Sequence, residues 1–240
     1  MYIYGRNVIK EIISVRYSVK QVYVSNSKNT DKELANIVQK AKANGYSVSY
    51  VSDDNLKNLV NYDKHQGVVI DIGKEYEYYD TDYLEKKKEN AFIVMLDQIQ
   101  DPQNFGAIIR SAVACGADAI IIPKDNSCEV TAAVIKVSAG QIFKIPIIRV
   151  VNLSRTVEYL KEKNYWIFGA DMNGKNYYDT DFKGNICLIL GNEGSGIREK
   201  LKEKADFIVS IPMYNSVESL NVSVSAGIIM FEAAKQRHGL

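Results

Sequence analysis

The sequence predicts an α/β protein of two domains, the larger of which is a mostly parallel sheet with helices on both faces. From residue 91 onward, short apolar runs typical of buried strands alternate with stretches of helical spacing, and this alternation favours a parallel sheet. Residues 1–73 repeat the alternation on a smaller scale. Between them, residues 74–90 are charged, hold four tyrosines and lack an aliphatic core pattern, so we interpret them as a linker.

The amino-terminal domain, residues 1–73, is predicted to be a small α/β unit. Apolar residues at helical spacing alternate there with short strand-like runs. We expect helices at 7–14, 32–43 and 54–60, and strands at 21–24, 46–51 and 67–72.

The carboxy-terminal domain, residues 91–240, supplies the larger sheet. We expect strands at 91–96, 119–122, 146–150, 165–170, 187–190 and 207–211, and helices at about 102–115, 129–138, 154–163 and from 220 onward. Pro102 and Asn104 suit the entry of the first of these helices. In the last helix, Leu220, Val224, Ile228 and Phe231 recur every three or four residues, so this face is predicted to pack on the core.

Composition excludes several functional classes. The net charge is +1, with 11 basic and 9 acidic residues in 1–79 and 16 of each in 91–240, so net charge alone does not indicate RNA binding. Three separated cysteines and two histidines disfavour a zinc site and are typical of reduced thiols in a cytosol. No run approaches the ~20 apolar residues of a membrane span, and no signal peptide is apparent. We expect a cytoplasmic protein without a metal.

A glycine-rich turn, Gly191 to Gly196, follows the predicted strand at 187–190. Glycine permits a close approach of backbone to a ligand because it has no Cβ. The turn lacks both the dinucleotide fingerprint and the phosphate-loop Lys-Ser/Thr pair, which disfavours a dehydrogenase or a nucleotide triphosphatase. By itself this turn is compatible with a purely structural role.

Three segments together carry a more specific signal. They resemble, in order, motifs one to three of the SpoU (TrmH-type) branch of the SPOUT RNA methyltransferases. The matching residues are Asp101-Pro102-x-Asn104-x-Gly106 with Arg110, then Gly191-Asn192-Glu193-Gly194-x-Gly196, then Ile211-Pro212-Met213 with Ser219-Leu220-Asn221-Val222-Ser223.

The resemblance implies a ribose 2'-O-methyltransferase that uses S-adenosylmethionine and acts on RNA, with a guanosine of 23S ribosomal RNA as the nearest likeness. It also implies a SPOUT-type parallel sheet with a deep carboxy-terminal trefoil knot, and a homodimer whose active site forms across the two chains. Composition and periodicity do not predict a knot, because knots are nearly absent from proteins.

The resemblance also assigns roles to residues. Gly191, Ile211 and Leu220 would bind the cofactor, with Gly196 and Met213 nearby. Arg110 would activate the ribose hydroxyl, either as a base or by stabilising the alkoxide that develops. Its position one to two turns past a strand-to-helix loop lets it lean toward the strand ends, where ligands bind in α/β proteins. The residues that would orient Arg110 and the ribose are Asn104, Glu193, Ser219 and Asn221.

Two segments of the first domain, Tyr4-Gly5-Arg6-Asn7 and His65-Gln66-Gly67-Val68-Val69, resemble the substrate-binding domain of the same family, which is similar to the L30e-like fold. That resemblance implies RNA binding. Arg6, Arg16 and Lys20 are candidate phosphate contacts. His65 is either a further RNA contact or a hydrogen-bonded loop histidine.

Two alternative functions stay open at this point. One is a tRNA ribose 2'-O-methyltransferase, although the extra amino-terminal domain favours ribosomal RNA. The other is a noncatalytic RNA-binding factor of ribosome assembly that keeps the fold. The sequence does not identify the modified nucleotide, nor does it distinguish naked RNA from a ribosomal particle as the substrate.

Overall fold

The computed structural model describes residues 1–27, 31–85, 89–192, 194–215 and 219–239. The chain divides into two compact units. The first consists of Met1–Glu77 and Val130–Lys144, and the second of Tyr78–Glu129 and Ile145–Leu240.

The first unit is a small mixed sheet with three helices and one later segment of chain. Its strands and the helices of residues 1–77 are β1 (Tyr2–Tyr4), α1 (Arg6–Val15), β2 (Gln21–Ser25), α2 (Lys32–Ala43), β3 (Val48–Val51), α3 (Asp53–Val60) and β4 (Val68–Asp71). The strand order is β1-β4-β2-β3, with β2 and β3 parallel and the other pairs antiparallel. The predicted small α/β unit is therefore confirmed, whereas β1 was not predicted because three residues are too few to show a period.

Local signals explain where these helices begin. Asp31 caps α2 by accepting a hydrogen bond from the Leu34 amide at 3.1 Å. Ser52 caps α3 in the same way, through the Asn55 amide at 3.2 Å. Gly5 precedes α1 with φ +115°, a conformation that disfavours any residue with a side chain.

The segment Val130–Lys144 belongs to the first unit by its contacts, although the sequence placed it within residues 91–240. It holds helix α5 (Ala132–Val137) and a short 3-10 helix, Gln141–Lys144. Gln141 Nε2 donates to Glu11 Oε1 at 2.9 Å, and the Lys144 ammonium pairs with the same carboxylate. Partial burial raises the pKa of Glu11, but the hydrogen bonds from Lys144 and Gln141 outweigh burial and hold it below its usual value.

The second unit is the predicted α/β domain with a parallel sheet. Its strands are β5 (Phe92–Leu96), β6 (Ala119–Pro123), β7 (Ile147–Val150), β8 (Trp166–Asn176), β9 (Ile186–Leu190) and β10 (Phe207–Ser210). Its helices are α4 (Pro102–Ala114), α6 (Leu153–Glu162), α7 (Glu199–Lys202) and α8 (Val222–His238). The strand order is β10-β8-β9-β5-β6-β7, and every pairing is parallel. The trefoil knot implied by the resemblance stays a prediction.

The topology places the three motif segments at one edge of this sheet. β5 and β9 are neighbours whose last residues, Leu96 and Leu190, pair in register. Motif one follows β5 and motif two follows β9, so both loops leave the sheet at its carboxyl edge, where α/β proteins bind ligands.

The core-facing side of α8 was predicted wrongly. Val224 and Phe231, expected in the core, are 49% and 53% exposed. The buried side of the helix is formed by Val222, Ala226, Ile229, Met230, Ala233 and Ala234. The helix is apolar on both sides, so spacing alone did not identify the buried side.

Candidate functional site

A cavity of about 340 Å³ opens in the second unit beside the middle of β8, the end of β9 and the start of α8. Its walls are two loops and the first turns of a helix. All five residues that the sequence predicted to bind a cofactor line it, namely Gly191, Gly196, Ile211, Met213 and Leu220. Ser219, predicted to orient the substrate, lines it as well. Their role in binding stays a prediction.

The glycine pattern reflects a close approach between two stretches of backbone. A methyl carbon added at Gly191 would lie 2.1 Å from the carbonyl carbon of Gly196 and 2.2 Å from the Ile197 nitrogen. Asn192 and Gly196 exchange backbone hydrogen bonds of 3.1 and 2.8 Å, which fold the loop back on itself. Gly196 has φ +66°. The two stretches of backbone therefore approach so closely that residue 191 has no room for a side chain.

An ion pair with a buried carboxylate, which the sequence did not reveal, ties the loop after β5 to the loop after β9. The carboxylate of Asp97 is fully buried and accepts two hydrogen bonds from Arg198, from the backbone N at 2.9 Å and from Nε at 2.8 Å, and Arg198 Nη2 lies 2.7 Å from the same carboxylate. Asn192 Nδ2 adds a bond to the Gln98 carbonyl oxygen at 3.0 Å. A buried carboxylate requires such partners, so this pair holds the glycine loop in place. The only local signal was an aspartate directly after a predicted strand.

Asp171 is the one charged residue among the described residues that line the cavity. It was missed because β8 continues to Asn176, beyond the predicted end at residue 170. Burial raises the pKa of Asp171, but hydrogen bonds from the Asn173 amide at 3.0 Å and from Lys202 outweigh burial and lower it. The cavity thus carries a carboxylate that is ionised at neutral pH.

The candidate orienting residues Asn104 and Asn221 are in direct contact. Asn221 Nδ2 donates to Asn104 Oδ1 at 2.9 Å, and Asn221 Oδ1 accepts from the Ser223 amide and hydroxyl at 2.9 and 2.6 Å. These bonds join the starts of α4 and α8. Glu193, the fourth orienting candidate, lies outside the described residues.

Arg110 is not part of the cavity wall. It lies on the exposed face of α4 and makes no ion pair with a described residue. A single chain therefore brings together the cofactor candidates and Ser219, and separately Asn104 and Asn221, but it does not bring the Arg110 guanidinium into the cavity. The expectation that Arg110 leans toward the strand ends stays a prediction.

The RNA candidates of the first unit differ in how their charges are used. The Arg6 guanidinium pairs with Asp31 and, at 2.7 Å, with Glu33, so two carboxylates balance its charge. Lys20 Nζ is 3.8 Å from Asp71 but is 73% exposed, and Arg16 is exposed at the end of α1. His65 is buried, and its Nδ1 accepts a hydrogen bond from the Gly67 amide at 3.1 Å. This contact agrees with the alternative in which His65 is a hydrogen-bonded loop histidine.

We expect Arg6→Gln to lower the melting temperature of the protein at pH 7, because Asp31 and Glu33 lose a shared cation. The Leu34 amide and Arg6 lower the pKa of Asp31, while Lys10 and Arg6 lower that of Glu33. A carboxyl group whose pKa is lowered by folding stabilises the folded protein at pH values above its unfolded pKa of about 4. The difference from wild type should shrink as pH falls through the lowered folded values. A constant difference from pH 7 to pH 3, in scans of both proteins, would contradict this account.

Other classes of site were sought in the described ranges. No helix there is long and apolar enough to cross a membrane. Within those ranges, no group of three or more His, Cys, Asp and Glu side chains is placed to hold a metal ion. Cys115, Cys128 and Cys187 are buried free thiols.

Comparison with known proteins gives matches over nearly the whole chain. The SpoU rRNA methylase family matches residues 91–231, and the RNA 2'-O ribose methyltransferase substrate-binding family matches residues 2–79. A 23S rRNA (guanosine-2'-O-)-methyltransferase from Coxiella burnetii is 39% identical over 98% of this chain and 95% of its own.

Solved structures are similar in the same way. The crystal structure of an AdoMet-bound rRNA methyltransferase from Sinorhizobium meliloti superimposes with a TM-score of 0.82 and 25% identity, covering 100% of this chain and 87% of that one. A TrmH/SpoU tRNA modifying enzyme from A. aeolicus, with a TM-score of 0.57 and 28% identity, covers 62% of this chain and 77% of that one.

Proposed function

The chain belongs to the SpoU rRNA methylase family, and we propose that it transfers the methyl group of S-adenosylmethionine to a ribose 2'-hydroxyl of ribosomal RNA, at a guanosine of 23S rRNA. The observation that carries the proposal is the cavity at the carboxyl edge of the sheet, lined by the glycine loop and by the segments on either side of it. An rRNA substrate implies a cytoplasmic location.

The cavity fits the cofactor in size and chemistry. At about 340 Å³ it lies within the range of small-molecule sites. Ile211, Met213 and Leu220 supply apolar surface, and the Gly191 loop supplies backbone groups at close approach. Asp171 lies in the wall with its carboxylate paired to Lys202 at 2.9 Å, so it offers hydrogen-bond acceptor oxygens rather than an unbalanced negative charge.

S-adenosylmethionine, when bound, supplies an electrophilic methyl group, so no metal is required for the transfer. The protein must make a ribose hydroxyl nucleophilic, and only RNA offers a 2'-hydroxyl. A guanidinium stays protonated in proteins, so Arg110 acts best by stabilising the negative charge that develops on the ribose oxygen. We assign Ser219, Asn104 and Asn221 to orienting the ribose and Arg110.

We further propose that the active unit is a homodimer in which Arg110 of the partner subunit completes the cavity of the first. Val224, Ile228 and Phe231 form a partly exposed apolar stripe along α8. α4, which carries Arg110, packs along the same helix, with Ser111 Oγ 3.9 Å from a methyl carbon added at Gly227. An apolar stripe on the helix that packs against α4 is suited to a second copy of the chain, which would bring a second Arg110 to the same surface.

Chain coverage favours ribosomal RNA over tRNA. The rRNA methyltransferase structure covers the whole chain, whereas the tRNA modifying enzyme covers less than two thirds of it. The amino-terminal unit thus has a counterpart in the rRNA enzyme, and we propose that it binds RNA through Arg16 and Lys20.

A direct assay tests the function. Purified protein is incubated with methyl-labelled S-adenosylmethionine and 23S rRNA from cells that lack the protein, with tRNA and 16S rRNA as controls. Methylation of a ribose removes the nucleophile of alkaline RNA cleavage, so the modified position appears as a gap in an alkaline ladder. Label in tRNA alone, or in no RNA, would overturn the proposal.

We expect S-adenosylmethionine to raise the melting temperature, because it binds the folded protein only. At a concentration about 100 times the dissociation constant the gain is about 2.7 kcal/mol, which corresponds to a shift of roughly 5–10 °C at this size. Differential scanning fluorimetry measures the shift, with adenosine triphosphate as a control ligand. An unchanged melting temperature at saturating cofactor would argue against the cofactor assignment.

A further inference from the structure

Lys136, on α5, is a half-buried cation that no carboxylate of the described ranges neutralises. Its Nζ lies 3.0 Å from Gln66 Oε1 and 5.3 Å from the centroid of the Tyr4 ring. Burial lowers the pKa of its ammonium group. An ammonium has three hydrogen-bond donors, and Gln66 accepts one, so Lys136 keeps donors and a positive charge for a further anionic partner.

The Tyr4 ring adjoins this cation, and the Tyr62 ring adjoins Tyr4. The centroids of Tyr4 and Tyr62 are 5.2 Å apart, with the rings tilted by 37°. Tyr4 is half-buried beneath Lys136, whereas Tyr62 is 43% exposed and offers a ring surface to solvent. The first unit therefore places an exposed aromatic ring close to an unneutralised charge.

The surrounding backbone holds this cluster in place. Gln66 Oε1 also accepts from the Arg6 amide at 3.1 Å, and the Gln66 carbonyl oxygen accepts from Arg6 Nε at 3.1 Å. A methyl carbon added at Gly5 would lie 2.5 Å from Lys136 Nζ. The absence of a side chain at residue 5 is thus what admits the ammonium group, and the Tyr4 and His65 segments of the sequence meet around it.

We propose that Tyr4, Tyr62, Gln66 and Lys136 form a subsite for one unpaired nucleotide of the RNA substrate. Lys136 binds a phosphate, the exposed ring of Tyr62 stacks on the base, and Gln66 and Tyr4 position the lysine. This subsite rests on the proposed function and names the surface through which the first unit engages RNA. The sequence predicted a phosphate contact for Arg6, but two carboxylates already balance the charge of Arg6. In this proposal the contact is made instead by Lys136, some 130 residues later in the chain.

The combination of groups favours RNA over other anionic partners. Unpaired bases stack on aromatic side chains while lysines follow the phosphates, and every base has a face that can stack. A phosphopeptide would use the cation and leave the tyrosine ring without a role. The two contributions are separable by experiment, because phosphate contacts depend on salt and stacking does not.

The test is equilibrium binding of the full-length protein to a short fluorescein-labelled oligouridine across a range of potassium chloride concentrations. Log affinity falls as log salt rises. Lys136→Gln should make this negative slope less steep by about 0.7, the contribution of one phosphate contact in a single strand. Tyr62→Ala should lower affinity roughly fivefold or more at every salt concentration and leave the slope unchanged. Tyr62→Phe, which keeps the ring, should bind as wild type does.

Lys32→Gln is the matched control, since it removes an exposed lysine on α2 of the same unit that makes no ion pair with a described residue. It should leave the slope and affinity close to wild type. Melting curves accompany each variant, and Tyr62→Ala, a change at the surface, carries the test if Lys136→Gln does not fold.

Several outcomes would overturn the subsite. One is that Lys136→Gln keeps the wild-type slope and affinity while Tyr62→Ala has no effect. A second is that Lys136→Gln and Lys32→Gln have equal effects. The others are that a phosphopeptide competes with oligouridine as well as unlabelled RNA does, or that the wild type does not bind oligouridine. If the wild type methylates 23S rRNA while both subsite variants match it in binding, the subsite alone fails. If the wild type methylates no RNA, the proposed function fails.

Discussion

Arg110→Ala is expected to reduce methyl transfer by about 10²–10³-fold, the usual cost of removing one stabiliser of a developing oxyanion. S-adenosylmethionine affinity should stay within about twofold of wild type, because the role assigned to Arg110 is at the ribose oxygen and Arg110 does not line the cavity of its own chain. Single-turnover transfer to 23S rRNA and calorimetric titration of the cofactor measure the two quantities. RNA binding should persist, which separates a catalytic arginine from a general phosphate contact.

The control for this variant is Arg155→Ala, which removes an exposed arginine of α6 in the same unit. It should leave methyl transfer at the wild-type rate. If Arg110→Ala retained full activity, or lost activity only in proportion to RNA binding, Arg110 would have no role in the transfer step. That result would support the alternative hypothesis of a noncatalytic RNA-binding factor.

Mixing two inactive variants tests where Arg110 acts. Leu220→Glu places a charge in the cavity wall and should abolish cofactor binding. In a mixed dimer with Arg110→Ala, one of the two sites would combine an intact cavity with an intact Arg110 only if the arginine comes from the partner subunit. Recovered activity is therefore expected. No recovery, with mixed dimers demonstrated by mass, would place Arg110 in the site of its own chain.

Gly191→Ala is expected to abolish S-adenosylmethionine binding and to destabilise the second unit. The new methyl carbon would meet backbone atoms of Gly196 and Ile197 at 2.1–2.3 Å, and backbone cannot move aside as a flexible side chain does. Overpacking typically costs about 1–3 kcal/mol and occasionally more, and the contact with backbone suggests the upper part of that range. Calorimetric titration and urea unfolding measure the two effects.

The same loop offers a matched control. A methyl carbon at Gly194 would meet only Asn192 Oδ1, at 3.5 Å, which is an ordinary contact. Gly194 also lines the cavity, so this control is compared in stability, and Gly194→Ala should unfold in urea nearly as wild type does. If both alanine variants bound normally, the close approach at Gly191 would not be needed for the cavity. If both failed, flexibility of the whole loop, rather than one contact, would explain the glycines.

Local sequence patterns were sufficient to predict much of the fold of this protein. Alternating runs predicted the two α/β units and the parallel sheet, since strand and helix periods are properties of neighbouring residues. The segments around Gly191, Ile211 and Leu220 were predicted to bind one ligand, and they line one cavity. The resemblance to the SpoU methyltransferases made that prediction, and the parallel sheet agrees with it, because loops that follow parallel strands leave the sheet at the same edge.

The sequence did not predict which residues distant along the chain contact each other. Tertiary contacts decide which side of α8 is buried, which carboxylates balance Arg6, which arginine pairs with Asp97 and which unit Lys136 joins. A charged or apolar residue shows what kind of neighbour it requires, but several candidates along the chain satisfy each requirement. Only the folded arrangement of the chain, in which burial makes an unpaired charge costly, selects one of them.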